Sequence, residues 1–158
     1  MSANTEKLNA HKMMDVSIIM PVYQVAPYIG DCLRSVMRQT YRGSMECLIV
    51  DDGTKDGSIA IAERMIDAYE GPIQFQIQHH DENRGLSAAR NTGTMLATGD
   101  YLYYIDSDDE MTEDCMEKLM AVASHDPSIE MVQGNACRHT LQKESVILVK
   151  DSWFIVNG

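Results

Sequence analysis

Short apolar runs and segments of helical periodicity alternate along this chain, and this alternation limits the folds that it can adopt. The apolar runs are rich in β-branched and aromatic residues and stop at loop-forming residues, which is typical of buried strands. The intervening segments carry apolar residues at spacings of three and four, which predicts helices with one buried face. The predicted strands are Val16–Tyr23, Cys47–Val50, Ile73–Ile77, Tyr101–Ile105 and Glu130–Gln133, and the predicted helices are 28–37, 58–69, 86–97 and 112–124. Strands and helices that alternate over short connections form a parallel sheet with helices on both faces, so we expect an α/β fold.

The same alternation divides the chain into three predicted parts. Residues 1–15 are polar and without pattern, and we expect them to form a flexible lead-in. Residues 16–134 hold the regular alternation and form the predicted core domain. In residues 135–158 the pattern loosens into a candidate edge strand at Ser145–Val149 and an apolar tail at Trp153–Val156. With 158 residues, of which 44% are apolar, the chain is long enough to bury one core.

The charge and the cysteines argue against several classes of function. The formal net charge of -11 argues against a nucleic-acid partner, because binding to a phosphate backbone needs a basic surface. No apolar run approaches the roughly 20 residues of a transmembrane segment. The four cysteines are widely spaced and lack the spacing of zinc sites, so we expect buried, reduced thiols. These features predict a cytoplasmic protein, whose attachment to the cytoplasmic face of a membrane would require other regions or partners.

Three predicted strands end in residues that are suited to ligand binding, namely Pro21-Val22-Tyr23, Asp51-Asp52-Gly53 and Asp106-Ser107-Asp108-Asp109. In a parallel sheet, ligands bind outside the carboxyl ends of the strands. A carboxylate of Asp51 or Asp52 can accept hydrogen bonds from a nucleobase or a ribose, and Tyr23 can pack on the base. Asp106 and Asp108 are two residues apart and can reach one magnesium or manganese ion, with water and phosphate as further ligands. The alternative for this second acidic group is the start of the next helix, since Asp favours helix N-termini.

The segment from His79 to Arg90 carries the cations that lie nearest in sequence to the second acidic group. Arg90 is embedded among small residues of the predicted helix, where a charge needs a specific polar contact. For Arg84, a solvated loop position and a ligand contact are equally open. Adjacent residues in an extended segment point to opposite sides, so we expect His79 and His80 to lie in a hydrated loop rather than to bind a metal. No glycine-rich phosphate-binding or dinucleotide-binding pattern is present, which argues against nucleoside triphosphatases and NAD-dependent enzymes.

Four motifs carry a resemblance to a known family through their order and spacing: Val16-Ser-Ile-Ile-Met-Pro-Val-Tyr23, Leu48-Ile-Val-Asp-Asp-Gly-Thr54, Glu82-Asn-Arg-Gly-Leu-Ser-Ala-Ala-Arg-Asn91 and Tyr104-Ile-Asp-Ser-Asp-Asp109. Together they closely resemble the family 2 glycosyltransferases, which have the GT-A fold. The resemblance implies that residues 16–134 form a nucleotide-sugar-binding core with a Rossmann-like, mostly parallel sheet. It also implies inverting transfer of a sugar from a nucleotide-diphospho-sugar, commonly a UDP-sugar, in polysaccharide or glycoconjugate biosynthesis. The acceptor would be a hydroxyl group of a glycan, a lipid-linked molecule or another compound.

The resemblance also implies roles for individual residues. By their positions in the motifs, the residues that would line the nucleoside pocket are Pro21, Val22, Tyr23, Asp52, Asn83 and Arg90. Asp106 would lie by the ribose and the diphosphate, and Asp108 would bind the metal in the family's Asp-x-Asp motif. The predicted nucleotide-sugar-binding set also includes Asp51 and Ser107. The predicted metal ligands are Asp106 and Asp108, and the predicted cofactor is manganese or magnesium.

The chain departs from the family's pattern near its end. The acidic general base and the acceptor-binding elements of the family lie in the later half of the catalytic domain, and nothing after Gly134 matches them. We therefore expect the fold to be truncated after the donor-binding half, with residues 135–158 as the start of the acceptor side. We identify no catalytic base within the chain and expect it downstream of Gly158.

Two other functions remain open at this point. One is a non-catalytic nucleotide-sugar-binding or assembly module that docks on another domain through the apolar tail. The other, ranked lower, is a nucleotidyltransferase, an enzyme class that usually needs a basic, glycine-rich loop after the first strand. This chain has Pro21-Val22-Tyr23-Gln24 at that position.

Overall fold

The computed structural model describes residues 14–126, 128–138 and 147–156, with side chains up to residue 135. Six strands and four helices form in the part of the chain that it describes. The strands are β1 (Met14–Val22), β2 (Met45–Asp51), β3 (Gln74–His79), β4 (Gly99–Tyr104), β5 (Met131–Arg138) and β6 (Ile147–Val156). The helices are α1 (Ile29–Met37), α2 (Ser58–Asp67), α3 (Leu86–Leu96) and α4 (Cys115–Ala123).

One sheet with the strand order β3-β2-β1-β4-β6-β5 contains all six strands. The first four strands of this order run parallel, and β6 runs antiparallel to both of its neighbours. The predicted α/β fold with a mostly parallel sheet is therefore confirmed. The chain proceeds from β1 to β2 and β3, and then returns to the other side of β1 as β4. Such a reversal of strand order opens a crevice at the carboxyl ends of the two strands, here β1 and β4.

The structure corrects two predictions about the ends of the chain. The segment Ser145–Val149 was expected to hold an edge strand, but β6 pairs with β4 on one side and with β5 on the other. Trp153–Val156 was expected to be a tail, yet its last three residues pair with Tyr101–Tyr103 of β4. Both predictions were wrong because β6 pairs with strands that are distant in sequence, and local composition does not reveal such partners. The predicted lead-in ends earlier than expected, because β1 begins at Met14; residues 1–13 lie outside the described residues.

Helices cover both faces of the sheet and bury its central strands. On one face, the apolar side chains of β1 pack with α1, α2 and α4 in a single cluster; its members from β1 are Val16, Ile18, Met20 and Val22. On the other face, α3 contacts β1 and β2. This contact is close, because a Cβ atom at Gly93 would lie 2.5 Å from Cγ2 of Ile19. A residue larger than glycine at position 93 would therefore push α3 away from β1.

The cysteines that the structure describes follow the prediction in part. Cys32 and Cys47 are buried free thiols, and Cys115 is a free thiol that is half-buried. Burial raises the pKa of the Cys47 thiol well above its usual value. The side chain of Cys137 lies outside the described part. No helix within the described ranges is long and apolar enough to cross a membrane.

Candidate functional site

The carboxyl ends of β1, β2 and β4 lie side by side, as the parallel pairing predicts. Val22 pairs with Asp51 at the end of β2, and the backbone N–H of Asp52 donates to the carbonyl oxygen of Val22 over 2.9 Å. On the other side, the N–H of Ile105 donates to the carbonyl oxygen of Ile19 over 3.1 Å. Pro21 and Val22 are buried, whereas 44% of the surface of Tyr23 is exposed. Tyr23 is therefore the first residue after β1 that a ligand could contact through its side chain.

The loop after β1 is fixed by the loop that precedes α2. The N–H groups of Gln24 and Ala26 donate to Thr54 Oγ1 over 2.8 Å and to Asp56 Oδ2 over 3.0 Å. Asp56 also accepts hydrogen bonds from Thr54 and Ser58. Burial raises the pKa of Asp56, but these hydrogen bonds outweigh it and lower the pKa to about 2. Sequence reasoning missed Asp56, although an Asp in a turn commonly accepts the backbone N–H two residues on, as Asp56 does from Ser58.

Asp51 and Asp52, after β2, are both engaged in hydrogen bonds within the protein. Asp51 accepts from the N–H of Thr54 over 2.8 Å and lies 2.9 Å from Nδ1 of His79. Asp52 lies 2.8 Å from Nδ1 of His80. It also accepts two backbone N–H groups at the start of α3, those of Arg84 over 2.9 Å and Gly85 over 2.8 Å.

Asp52 is held in its ionised form. Only 2% of its surface is exposed, and this burial raises its pKa. The hydrogen bonds from Arg84, His80 and Gly85 act in the opposite direction and leave the pKa of Asp52 below its usual value. The predicted contact of Asp52 with a nucleobase stays a prediction, and the structure adds a second role, which is to anchor the start of α3.

The loops after β2 and β3 touch at a glycine. Gly53 has a φ of +70°, and a Cβ atom at this position would lie 2.7 Å from the carbonyl carbon of Glu82 and 2.8 Å from the nitrogen of Asn83. A larger residue would therefore push the two loops apart. This contact, together with Asp52, sets the position of Asn83, which is exposed beside the strand ends.

Arg90 reaches from α3 to the end of β4. Its Nη2 donates to Oδ1 of Asp106 over 2.6 Å, and the two side chains are 38% and 44% exposed. The Nε of Arg90 is buried and has no hydrogen-bond partner among the described residues. The structure thus confirms the specific polar contact that was predicted for Arg90, and it leaves one buried donor free. Arg84 has an exposed position in the loop before α3.

The acidic group after β4 differs from the one after β2 in that most of it faces solvent. Ser107 is buried, at 4% exposure, whereas Asp108 and Asp109 are exposed. The N–H of Asp109 closes a turn onto the carbonyl oxygen of Asp106 over 2.9 Å. Burial, and after it the charges of Asp108 and Asp106, raise the pKa of Asp109. These acids do not start the next helix, which was the alternative prediction, because α4 begins only at Cys115.

Side chains of α1, and of Gln39 shortly after it, hold the segment between this acidic group and α4. The thiol of Cys32 donates to the carbonyl oxygen of Asp106 over 3.7 Å, and Ser35 Oγ accepts the N–H of Met111 over 3.1 Å. Gln39 donates to the carbonyl oxygen of Thr112 over 2.8 Å and accepts the N–H of Met116 over 2.9 Å. These positioning contacts cannot be predicted from local sequence, because they join residues more than seventy positions apart.

The histidines were predicted to lie in a hydrated loop, but His79 is the last residue of β3, and His80, which follows it, is buried. The side chain of His79 is 56% exposed, but that of His80 is only 4% exposed. Neighbouring residues in an extended segment point to opposite sides, so one of the two side chains turns inward. A cavity of about 420 Å³ lies at this end of β3 and is lined by Gln78, His79, His80, Asp81, Glu82, Arg84 and Thr92. The acidic group after β4 does not line this cavity.

Comparisons with known proteins agree with this geometry. Residues 17–144 match the family described as "Glycosyl transferase family 2". The "Uncharacterized glycosyltransferase EpsJ" of Bacillus subtilis is 40% identical over 104 residues, which are 66% of this chain and 29% of EpsJ. An "Uncharacterized glycosyltransferase" of Haemophilus influenzae is 34% identical over 137 residues, which are 87% of this chain and 53% of that protein. The chain therefore spans only 29% and 53% of the length of these two relatives.

Solved structures show the same architecture. The structure of S. aureus TarS 1–349 in complex with UDP has a TM-score of 0.67 at 25% identity, and the match covers 75% of this chain and 34% of that chain. The mannosyltransferase PcManGT from Pyrobaculum calidifontis, in complex with GDP-Man and Mn²⁺, has a TM-score of 0.68 at 24% identity. That match also covers 75% of this chain and 34% of the other. Both neighbours are GT-A glycosyltransferases, so the predicted GT-A fold is confirmed.

Proposed function

The chain belongs to glycosyl transferase family 2, and we propose that it binds a UDP-sugar together with a divalent metal for inverting transfer to a hydroxyl acceptor. One observation carries the proposal. The ends of β1 and β4, with α3 beside them, carry an exposed aromatic ring, a half-buried cation, and one half-buried and one exposed carboxylate. These groups are Tyr23, Arg90 and the acids at Asp106 and Asp108. A nucleoside diphosphate needs a stacking surface, a cation and a metal site in this arrangement.

The nucleoside is proposed to occupy the side of the crevice that β1 and β2 form. Tyr23 would pack on the base, with the buried Pro21 and Val22 beneath it, and Asn83 would supply an amide from the loop before α3. Uridine is favoured because TarS, whose structure is 25% identical over the matched part, is described in complex with UDP. Asp51 and Asp52 would act from behind this pocket, where their carboxylates hold the surrounding loops.

The residues after β4 fit a divalent cation that is shared with a diphosphate. Within the described ranges, no group of three or more His, Cys, Asp or Glu side chains is arranged to hold a metal by itself. Magnesium and manganese sites often use one or two carboxylates and take their remaining ligands from phosphate and water. Asp108 would bind the metal directly, with Asp106 as the second carboxylate and Ser107 beside the diphosphate. When bound, the metal would neutralise charge on the leaving diphosphate.

The proposed reaction is a single displacement at the anomeric carbon. The acceptor oxygen forms a bond to this carbon while the bond to the diphosphate oxygen breaks, and the electron pair leaves with the diphosphate. Arg90 would hold the diphosphate through the guanidinium N–H groups that Asp106 does not use. The relatives extend well beyond the matched segment, so we assign the base that takes the acceptor proton to residues outside the described part.

The test is calorimetric titration of the chain with UDP in the presence of manganese. Asp108→Ala, or removal of metal by a chelator, is expected to weaken UDP binding by at least about tenfold, because a metal ligand is lost. Asp67→Ala removes an exposed carboxylate at the far end of α2 and serves as the matched control, with unchanged affinity expected. Equal UDP affinity in wild type, Asp108→Ala and chelated protein would contradict the metal assignment.

A non-catalytic binding module remains the alternative function, and it differs from the proposal in turnover. The apolar tail that such a module was expected to use for docking is part of β6 and pairs within the sheet. Sustained hydrolysis of a UDP-sugar in the presence of manganese would support the enzyme. Binding without any turnover would support the module.

A further inference from the structure

His80 is buried and uses both of its ring nitrogens. Nδ1 lies 2.8 Å from Oδ1 of Asp52, and Nε2 lies 2.8 Å from Oγ1 of Thr92 on α3. The side chains of His80 and Asp52 are each only 4% exposed. Because an ionised carboxylate can only accept hydrogen bonds, Nδ1 carries a proton; the hydroxyl of Thr92 then donates to Nε2 when the ring is neutral.

This arrangement connects the ends of two neighbouring strands with a helix. His80 follows β3, Asp52 follows β2, and Thr92 lies in the second turn of α3. Asp52 uses its remaining capacity to accept the N–H groups of Arg84 and Gly85, immediately before α3. The backbone from residue 84 to the second turn of α3 is therefore attached at both of its ends to one buried Asp–His pair.

The segment that is attached in this way carries the predicted ligand contacts from this side of the crevice. Asn83 precedes the attached residues, and Arg90 lies between Gly85 and Thr92. Arg90 must stay within reach of Asp106, from which its Nη2 is separated by 2.6 Å. A rotation or slide of α3 would move its guanidinium away from the diphosphate side of the crevice.

We propose that His80 is a positioning residue for the nucleotide-sugar: it fixes Asp52 and Thr92 so that Asn83 and Arg90 face the ligand. His80 itself does not touch the ligand and acts through these two partners. This inference rests on the proposed function for its ligand, a UDP-sugar, whereas the attachment of residues 84–92 can be measured without any ligand.

The experiment uses the full chain and compares His80→Leu, His80→Asn and Thr92→Val with wild type. His80→Leu removes both hydrogen bonds, His80→Asn keeps a donor close to the position of Nδ1, and Thr92→Val removes only the contact with Nε2. His125→Leu is the matched control, since His125 is exposed after α4. The readouts are amide hydrogen exchange at Arg84 and Gly85, UDP affinity by calorimetry, and the midpoint of thermal unfolding.

For His80→Leu we expect loss of amide protection at Arg84 and Gly85 and about tenfold weaker UDP binding, because a buried acceptor loses its partner. His80→Asn should recover most of both losses, and Thr92→Val should give a smaller loss of affinity. If His80→Leu lowers the midpoint of unfolding and His80→Asn restores neither the amide protection nor the UDP affinity, His80 contributes through packing alone. That result would overturn the proposal. Wild-type protection and affinity in a folded His80→Leu variant would overturn it as well.

Failure of the proposed function is visible separately from failure of this inference. If wild type binds no UDP, the proposed ligand is wrong. The exchange data then test by themselves whether His80 holds residues 84–92 in place. Amide protection that is lost in His80→Leu and recovered in His80→Asn supports the positioning role, and unchanged protection overturns it. If His80→Leu does not fold, Thr92→Val, which removes only the contact with Nε2, still tests the proposal: weaker UDP binding than in wild type supports it, and wild-type affinity overturns it.

Discussion

Two acidic groups follow parallel strands of the same sheet, and they differ in what their carboxylates contact. Asp52, after β2, is 2% exposed and accepts hydrogen bonds from His80 and from two backbone N–H groups. Asp108 and Asp109, after β4, are exposed, and the charges of their neighbours contribute to raising the pKa of Asp109. The carboxylate of Asp52 has its hydrogen bonds supplied by the protein. The charges of Asp108 and Asp109 face solvent.

Under the proposed function, this difference lets one edge of the sheet combine fixed loops with ligand binding. Backbone and histidine donors stabilise the ionised Asp52, so its charge serves the structure of the surrounding loops. Carboxylates that repel one another in solvent have a higher free energy, which a cation can lower by binding. The comparison therefore separates residues whose loss should affect folding from those whose loss should affect binding.

The largest effect on stability is expected at the buried group. Asp52→Ala should lower the free energy of unfolding by about 3 kcal/mol, because the buried His80 and two backbone N–H groups lose their charged acceptor. Asp108→Ala should change it by less than about 0.5 kcal/mol, since the side chain is exposed. Urea denaturation of both variants measures the difference. Equal losses would mean that the two acidic groups do not differ in the way described.

A smaller loss is expected where the loops behind the buried group touch. Gly53→Ala should cost about 2 kcal/mol, since φ is +70° and a Cβ atom would lie 2.7 Å from the carbonyl carbon of Glu82. Gly57→Ala is the matched control, because its φ is -78° and no atom lies within 4 Å of an added Cβ. Its expected change is within about 0.5 kcal/mol. A Gly53→Ala variant as stable as Gly57→Ala would show that the loops separate without cost.

The low pKa of Asp52 predicts how its contribution to stability depends on pH. A carboxyl group with a folded pKa below its unfolded value of about 3.9 contributes stability above that value. This contribution is lost as the pH falls through the folded pKa. The stability gap between wild type and Asp52→Asn should therefore be constant from pH 7 to about pH 5 and shrink below about pH 4. Denaturation curves across this range provide the test, and a gap that widens in acid would contradict the hydrogen-bonding scheme.

The smallest effect is expected in the exposed group, and it has the opposite sign. Asp109→Asn should stabilise the metal-free protein, by less than about 1 kcal/mol, because it removes repulsion that solvent already screens. Asp67→Asn changes an exposed acid at the end of α2 and should have no comparable effect. Denaturation in the presence of a chelator measures both. Destabilisation by Asp109→Asn would indicate that its carboxylate makes a favourable contact in the folded protein.

Much of the fold was predictable because its signals are local. Val16–Tyr23 and Cys47–Val50 are apolar and β-branched, and β1 and β2 contain all of these residues except Tyr23. The helix predicted at 86–97 begins at Leu86 and ends at Leu96, within one residue of the expectation. Arg90 was correctly expected to make a specific polar contact, since a charge among small residues has few other solutions.

Other features depended on pairings between distant segments and were missed for that reason. His80 reads as a loop residue beside His79, and only its contacts with Asp52 and Thr92 show that it is buried. The residues of β6 looked like an edge strand and a tail, because the partners that place β6 inside the sheet lie in β4 and β5.

The sequence alone determined that strands and helices alternate, that acids follow two of the strands, and which family the motifs resemble. These properties follow from side-chain periodicity and from the order of residues along the chain. Only the tertiary structure decided which acids are saturated and which are free, because hydrogen-bond donors reach a carboxylate through space. Asp52 and Asp108 are the same residue type at the same edge of the sheet, and their surroundings give them different chemistry.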